Sequence, residues 1–465
     1  MATIHLRRGQ IIVDDPPASL ADQLKFFRRG VGREDGRYEA LAQFQDRRLV
    51  TFPGFAHRII GLCSGARVVD ERVPLPTPDL VEACRGLRDY QLEPAVAMIR
   101  SGGGIASLPT GFGKTHLIAA IIKAFSHEEM LARGTPLVVV AAAEKDLQAQ
   151  LYTKLKELLP GREVGRVTSA SSEMSDDIIV TGYKQLEELD ANSVGILIAD
   201  EVHTSASTQR SAAISRLHNA ARWGVSATPT GRFDGGDIVT EGLFGPVVTR
   251  FTYADMVRVG ALVPIEVYWL KAPRPKYLSH GGYQGMVASA TRDNPAMCRL
   301  VADIMGKIPE DKKAICFVDH VRFMAKILDV CPDIPFVHGD ASGQPPVSAK
   351  LRKERKAAFA EGKITKILST GIWRQGIDFP ELDVVVSTSC GSGEIAATQI
   401  PGRASRKAEG KDRAYLVDFQ HSWDFRNGKP GMLWLNDKSR QKCYRELGFK
   451  QVFVDSVSEL PFVNA

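Results

Sequence analysis

The chain has 465 residues, with 60 Lys and Arg against 54 Asp and Glu and a formal net charge of +6. That length exceeds one ordinary core and sets an expectation of two or three domains, while 44% apolar and 25% charged residues exclude a disordered, collagenous or membrane-embedded chain. The charge permits a polyanionic partner but falls short of a dedicated nucleic-acid-binding domain. Seven scattered cysteines form no C-x-x-C pair. No zinc or iron–sulfur site is therefore expected, and reduced thiols in a cytoplasmic compartment fit best. The N-terminus lacks a secretory pattern. The strongest apolar run, Leu137 to Ala143, is too short to span a bilayer, so no membrane contact is expected.

Residues 1–80 read as a small accessory domain of short strands and a helix or two, with arginine pairs at 28–29 and 47–48 as candidate phosphate contacts. The Pro-rich run Val73 to Pro78 reads as an extended linker. Across 81–255, short apolar runs alternate with amphipathic stretches. Strands are expected at Ile105–Leu108, Leu137–Ala142, Ile178–Val180, Ile196–Ala199 and Trp223–Ser226. Fully apolar strands alternating with helices predict a parallel sheet covered on both faces, an α/β architecture that binds ligands at the strands' carboxyl ends.

The first of these strands runs into Ser107-Leu-Pro-Thr-Gly-Phe-Gly-Lys-Thr115 and then an apolar helical pattern. Strand, glycine turn, Lys-Thr and helix make a phosphate-binding loop. Gly111 and Gly113 let backbone N–H groups close on a polyphosphate, and Thr110 lies in the same turn. The helix N-terminus adds its positive dipole end. Lys114 would reach the β- and γ-phosphates and Thr115 would hold Mg²⁺. Leu108 stands where the general pattern asks for glycine.

Downstream, Gly195 to His203 is an apolar strand ending in two carboxylates. Asp200 is placed to hold Mg²⁺ and Glu201 to orient and deprotonate a water. Ser226-Ala-Thr228, at another strand end, could hydrogen-bond this loop and relay the state of the nucleotide. From 256 to 440 the alternation repeats without a second phosphate loop. Strands are expected at Ala314–Val318, Ile334–Val337, Ile367–Thr370, Val384–Ser387 and Ala414–Val417. The polar, Gly/Pro-containing segment 272–296 reads as mobile. In Gln399 to Arg406, Arg403 and Arg406 would share a helix face. Aimed at a γ-phosphate, such arginines act as a finger in trans to the phosphate loop. A closing helix is expected over Lys438–Leu447, and 441–465 reads as a tail.

In this order the motifs resemble helicase superfamily 2 with a DExH box, over about 86 to 420, and within it the phage UvsW-like group and its XPB- and RecG-related DNA translocases. The resemblance implies two tandem RecA-like domains, ATP with Mg²⁺, and DNA as partner, branched or duplex and read without sequence preference. It implies an ATP-dependent helicase acting on forks and Holliday junctions, in the cytoplasm (the host's, if phage-encoded), with recombination proteins as further partners. It also assigns roles. Arg88 and Gln91, in Leu87-Arg-Asp-Tyr-Gln91, would bind the nucleotide, with Gln91 reading adenine. Asp378 would lie near the ribose. Arg406 would be the finger and Arg403 a γ-phosphate contact. Thr181 and Thr370 would touch the nucleic-acid backbone, and His203, Ser226, Thr228 and Gln399 would couple the sites. Ala141-Ala-Ala-Glu144 stands where the family usually carries Pro-Thr, so the resemblance does not carry over one DNA-backbone contact. The alternatives are an RNA helicase, a duplex-DNA motor of a restriction or remodelling assembly, and a binding protein on an inactive ATP fold.

Overall fold

Apolar residues dominate the five central strands of the first large sheet, and these strands are buried along their whole lengths. That is the condition for a parallel sheet with both faces covered. In the computed structural model the described residues are 2–29, 36–229, 234–279, 282–339, 345–373, 379, 381–391, 404–426 and 428–463. They fall into two units, Met1–Thr252 and Tyr253–Ala465.

In the first unit the large sheet has eight strands. Their order in space is Ser172–Glu173, Val164–Val167, Ile178–Thr181, Leu137–Ala141, Val194–Asp200, Ala221–Ser226, Gly104–Ser107 and Val247–Arg250. Among these, Ser172–Glu173 alone pairs antiparallel. The helix Lys114–Lys123 has Leu117 to Ile122 all buried and packs against the helices Leu80–Cys84, Asp89–Ser101 and Lys145–Leu158. All five strands expected in this half form. Val164–Val167 and Val247–Arg250 were not expected; both sit toward the sheet's edges, and Val247–Arg250 pairs through a register shift.

Residues 3–70 add a five-stranded sheet, in the order Ala42–Gln45, Arg48–Thr51, Ile11–Asp14, Thr3–Leu6 and Arg67–Asp70. A separate ribbon pairs Lys25–Arg29 with Gly36–Ala40. The five-stranded sheet shares one apolar core with the large one. Ile4, Leu6, Val13, Phe55 and Ile59 cluster with Leu217, Leu243 and Phe244. The approach is close at Gly54, where a Cβ would sit 2.1 Å from the Glu241 carbonyl oxygen.

The second unit carries a seven-stranded, wholly parallel sheet. Its order is Phe336–Val337, Lys366–Ser369, Lys313–Phe317, Leu382–Ser387, Ala414–Gln420, Ile265–Lys271 and Lys450–Val454. The five expected strands form here too. The last strand corrects the reading of 441–465 as a tail: Glu266 to Leu270 pair with Lys450 to Val454, and the helix Met432–Glu446 leads into that strand. Gly282–Ala290, within the segment read as mobile, is a helix. Among the described residues no helix is long and apolar enough to cross a membrane, and all seven cysteines are free.

Candidate nucleotide site

The strand Ala221–Ser226 lies between Gly104–Ser107, which feeds the phosphate loop, and Val194–Asp200, which ends in the acidic pair. In register, Ser226 faces Ser107 and Val225 faces Asp200. Three motifs far apart in the chain therefore meet at one carboxyl edge, where parallel sheets bind ligands. The Leu108 N–H donates to the Ser226 carbonyl at 2.8 Å, tying the loop to that edge.

Gly111 and Gly113 have φ of 89° and 92°, the left-handed region that glycine enters without strain. A Cβ on Gly113 would lie 2.6 Å from Gln91 Nε2. Gln91 is buried. Its Nε2 donates to the Phe112 carbonyl at 2.8 Å, and its Oε1 accepts from the Arg88 N–H at 2.9 Å. The amide thus braces the phosphate loop from beneath. Phe112 sits under the loop against Tyr90 and Phe251, with ring centroids 5.4 and 5.5 Å away. These aromatics were not singled out in the sequence; the signal available was Tyr90, next to Gln91. Arg88 is exposed, and its guanidinium donates to the Tyr90 hydroxyl at 3.0 Å.

Lys114 opens its helix and pairs with Glu201, Nζ to Oε1, at 2.5 Å. Glu201 has φ 48° and ψ 54°, a left-handed backbone unusual for a residue with a side chain. The Ser226 hydroxyl donates to Glu201 Oε2 at 3.1 Å. His203 Nδ1 lies 2.9 Å from that hydroxyl, and the Thr228 N–H donates to it at 3.1 Å. Burial raises the pKa of the Glu201 carboxyl, but the Lys114 ammonium outweighs it and leaves Glu201 below the ordinary value. Burial, partly offset by Lys114, pushes Asp200 up to about 6.

This donor set fits a polyphosphate with Mg²⁺. A buried carboxylate and the Thr115 hydroxyl are hard oxygen ligands, and a nearby cation would hold Asp200 ionised. The loop's glycines carry no side chain that would stand between its backbone and a phosphate. Among the described residues no group of three or more His, Cys, Asp and Glu forms a closed metal site.

Other expected site residues fare differently. Thr181 is fully buried and its hydroxyl donates to the Val167 carbonyl at 2.9 Å, so it presents nothing to a nucleic-acid backbone. Thr370 is also buried, at the end of Lys366–Ser369. Arg406 does not continue a helix; it bridges to Leu262 beside a Val263 N–H to Ser405 carbonyl bond of 2.7 Å. That extended backbone removes the argument that it shares a helix face with Arg403. Asp378, Gln399 and Arg403 lie outside the described residues.

The phosphate loop, the acidic pair and the neighbouring serine at one sheet edge define the P-loop nucleotide-hydrolase class, and a second parallel sheet follows in the chain. Residues 85–231 match the family described as type III restriction enzyme, res subunit, and residues 296–408 match the helicase conserved C-terminal domain. Putative helicase 22 of Sulfolobus islandicus filamentous virus is 25% identical over 374 residues, covering 73% of this chain and 65% of that protein. The DNA 3'-5' helicase XPB of Kineococcus radiotolerans is 27% identical over 368 residues, covering 73% and 61%. The chain thus spans less than two thirds of the length of these relatives. Two solved structures show the same fold. S. cerevisiae Dbp5 bound to RNA and ADP BeF3 has a TM-score of 0.55 at 14% identity, over 82% of this chain and 97% of that one. The type ISP restriction-modification enzyme LlaBIII bound to DNA has a TM-score of 0.55 at 16% identity, over 80% and 31%. The chain belongs to helicase superfamily 2, with tandem RecA-like domains, and resembles its XPB members.

Proposed function

We propose that the protein is an ATP-dependent DNA helicase or translocase that remodels branched duplexes, such as forks and Holliday junctions, in recombination, replication or repair. The observation that carries the motor reading is the Lys114–Glu201–Ser226–His203 network, which links a phosphate-binding lysine to the edge of the sheet. In this reading the loop N–H groups and Lys114 hold the β- and γ-phosphates. Thr115 and Asp200 hold Mg²⁺, which neutralises charge on the phosphates when bound. Glu201 orients the attacking water and takes its proton. Arg403 and Arg406 are the proposed γ-phosphate arginines. Thr110 and Asp378 are proposed at the nucleotide, with Gln91 setting the preference for ATP. DNA is favoured over RNA by the relatives described as DNA helicases. Binding should be largely independent of sequence and strongly weakened by salt.

The test is the ATPase rate at fixed salt with no nucleic acid, single strand, blunt duplex, fork, four-way junction and structured RNA. Stimulation chiefly by fork or junction DNA is expected. Stimulation chiefly by RNA would overturn the DNA assignment and leave the engine standing. Lys114→Ala should abolish turnover in every arm; near-parental turnover would remove the phosphate-loop argument. A second reading, translocation on duplex without strand separation, is favoured by the match of 85–231 to a restriction subunit. Stimulation by blunt duplex equal to that by forks, with no strand separation, would select it.

A further inference from the structure

The ribbon of Lys25–Arg29 and Gly36–Ala40 places Phe27 directly opposite Tyr38. Their rings meet edge to face, with centroids 5.3 Å apart. Both are exposed, Phe27 by 43% and Tyr38 by 75%. An aromatic pair left this open to water forgoes apolar burial that rings of this size usually gain. The neighbouring Phe26 points to the opposite face, where it walls a cavity of about 240 Å³ with Leu24, Leu41, Phe55 and Gly235. Lys25, two residues before Phe27 and so on its face of the ribbon, is paired with Asp22 only through an exposed ion pair. Such a pair is weak enough to yield to a phosphate.

The ribbon's other face holds it in place. Arg28, half-buried, donates to Glu39 at 2.7 Å and to Asp234 at 3.4 Å. This removes Arg28 from the phosphate contacts expected of the 28–29 pair. Gly235, with φ 73°, packs so closely that a Cβ would lie 3.1 Å from the Phe27 carbonyl oxygen. Asp234 and Gly235 lie a few residues after Thr228, so the aromatic face is fixed to the chain segment that leaves the nucleotide site.

We propose that the Phe27–Tyr38 face binds unpaired bases of a DNA strand by stacking, with Lys25 at its edge meeting a phosphate. Aromatic platforms beside cations take single strands in this way because every base offers a π-face. The inference rests on the reading of the protein as a DNA motor and adds where a separated strand is held.

The test uses the full chain and two probes, a blunt duplex and the same duplex carrying an unpaired arm with 2-aminopurine. The parent should quench the 2-aminopurine fluorescence. Phe27→Ala with Tyr38→Ala should weaken binding to the arm about tenfold to a hundredfold. Affinity for blunt duplex, and duplex-stimulated ATPase, should not change. The slope of log affinity against log salt should also hold, since no phosphate contact is removed. Tyr38→Phe, which keeps the ring, should bind as the parent does. Parental affinity for the arm in the double variant, or an equal loss on blunt duplex, would overturn the proposal. Absence of any ATPase stimulation by DNA in the parent would instead overturn the motor reading, while arm binding and quenching would still report on the platform.

Discussion

The Ser226 hydroxyl has one proton and two lone pairs, and the site uses all three. The proton goes to Glu201 Oε2, and the Thr228 N–H fills one lone pair. His203 Nδ1, at 2.9 Å, must then be a donor, which fixes its tautomer with the proton on Nδ1. Ser226→Ala takes one bond from a charged carboxylate and one from the imidazole. A hydrogen bond to a charged group is worth about 1.5–3 kcal/mol. Nucleotide affinity should stay near the parent's, while DNA-stimulated turnover falls about tenfold or more; unchanged stimulation would show that the serine relays nothing. Glu201→Gln has a sharper signature. Glu201 competes for the Lys114 ammonium that the phosphates need, so the variant should bind ATP at least as tightly as the parent. Turnover should drop about a hundredfold to ten-thousandfold, the usual contribution of a general base. Equilibrium binding beside single-turnover hydrolysis separates the two effects, and loss of binding would contradict the assigned role. These residues were legible because Gly-x-Gly-Lys-Thr and Asp-Glu-x-His are local patterns. Thr181 was not, because its hydroxyl direction is set by the neighbouring strand's Val167 carbonyl, which no local pattern encodes.

The strand Ile265–Lys271 shows the same limit for a whole element. It lies between Ala414–Gln420 and Lys450–Val454, buried except at its last residue. Glu266, Tyr268 and Trp269 do not read as a buried strand until their partners are known. Glu266 accepts from the Tyr268 hydroxyl at 2.9 Å and from Lys450 at 3.1 Å, and the Trp269 indole donates to Gln451 at 2.9 Å. Nearly two hundred residues separate that strand from the chain that satisfies it. The helix Met432–Glu446 makes a second long-range polar lock. Arg440, fully enclosed, donates to Asp418 at 3.0 Å and to Asp437 at 3.0 Å. Arg440→Met would leave the buried Asp418 carboxylate without its cation, and removing one partner of such a lock costs about 3–5 kcal/mol. Urea unfolding should show that loss, with partial recovery when Asp418→Asn is added. His421 donates from the same core to Asp437 at 3.1 Å. Burial pulls its pKa down, but the Cys390 sulfur and the Asp437 carboxylate outweigh this and push it up to about 10. A pKa raised on folding stabilises fully below the unfolded value of about 6.5 and progressively less as pH rises toward the folded one. The denaturation midpoint should therefore fall between about pH 7 and 10, and His421→Gln should flatten that fall. An equally steep fall in the variant would assign it to other groups.

At the scale of the whole molecule, the question is whether residues 1–80 are an attachment or part of the motor's first unit. Composition suggested an attachment, because the Pro-rich run Val73 to Pro78 reads as a linker. Chain connectivity and shared core differ here. Phe55 is fully buried, and its ring faces the helix Asp237–Phe244 so closely that a Cβ on Gly242 would lie 2.9 Å from it. Arg58 grips Glu241 on the same helix with two bonds of 2.6 Å. That helix in turn packs against Ala221–Ser226, whose last residue bonds Glu201. Deleting the first eighty residues would therefore expose apolar surface on the unit that holds the nucleotide site, and lost activity would say little about DNA. Phe55→Ala is the cleaner perturbation. Truncating a buried Phe costs about 3–5 kcal/mol. If the two sheets share one cooperative core, that loss should appear far from the mutation, as faster hydrogen exchange at the amides of Val194–Asp200, by about a hundredfold or more where exchange proceeds through unfolding of the unit. If the small sheet unfolds by itself, exchange should rise in Thr3–Leu6 and Ile11–Asp14 while Val194–Asp200 keeps the parent's protection. The first pattern would mean that a load on the Phe27–Tyr38 ribbon reaches the nucleotide site through a continuous packed body. The second would leave the Arg28–Asp234 contact to carry that load.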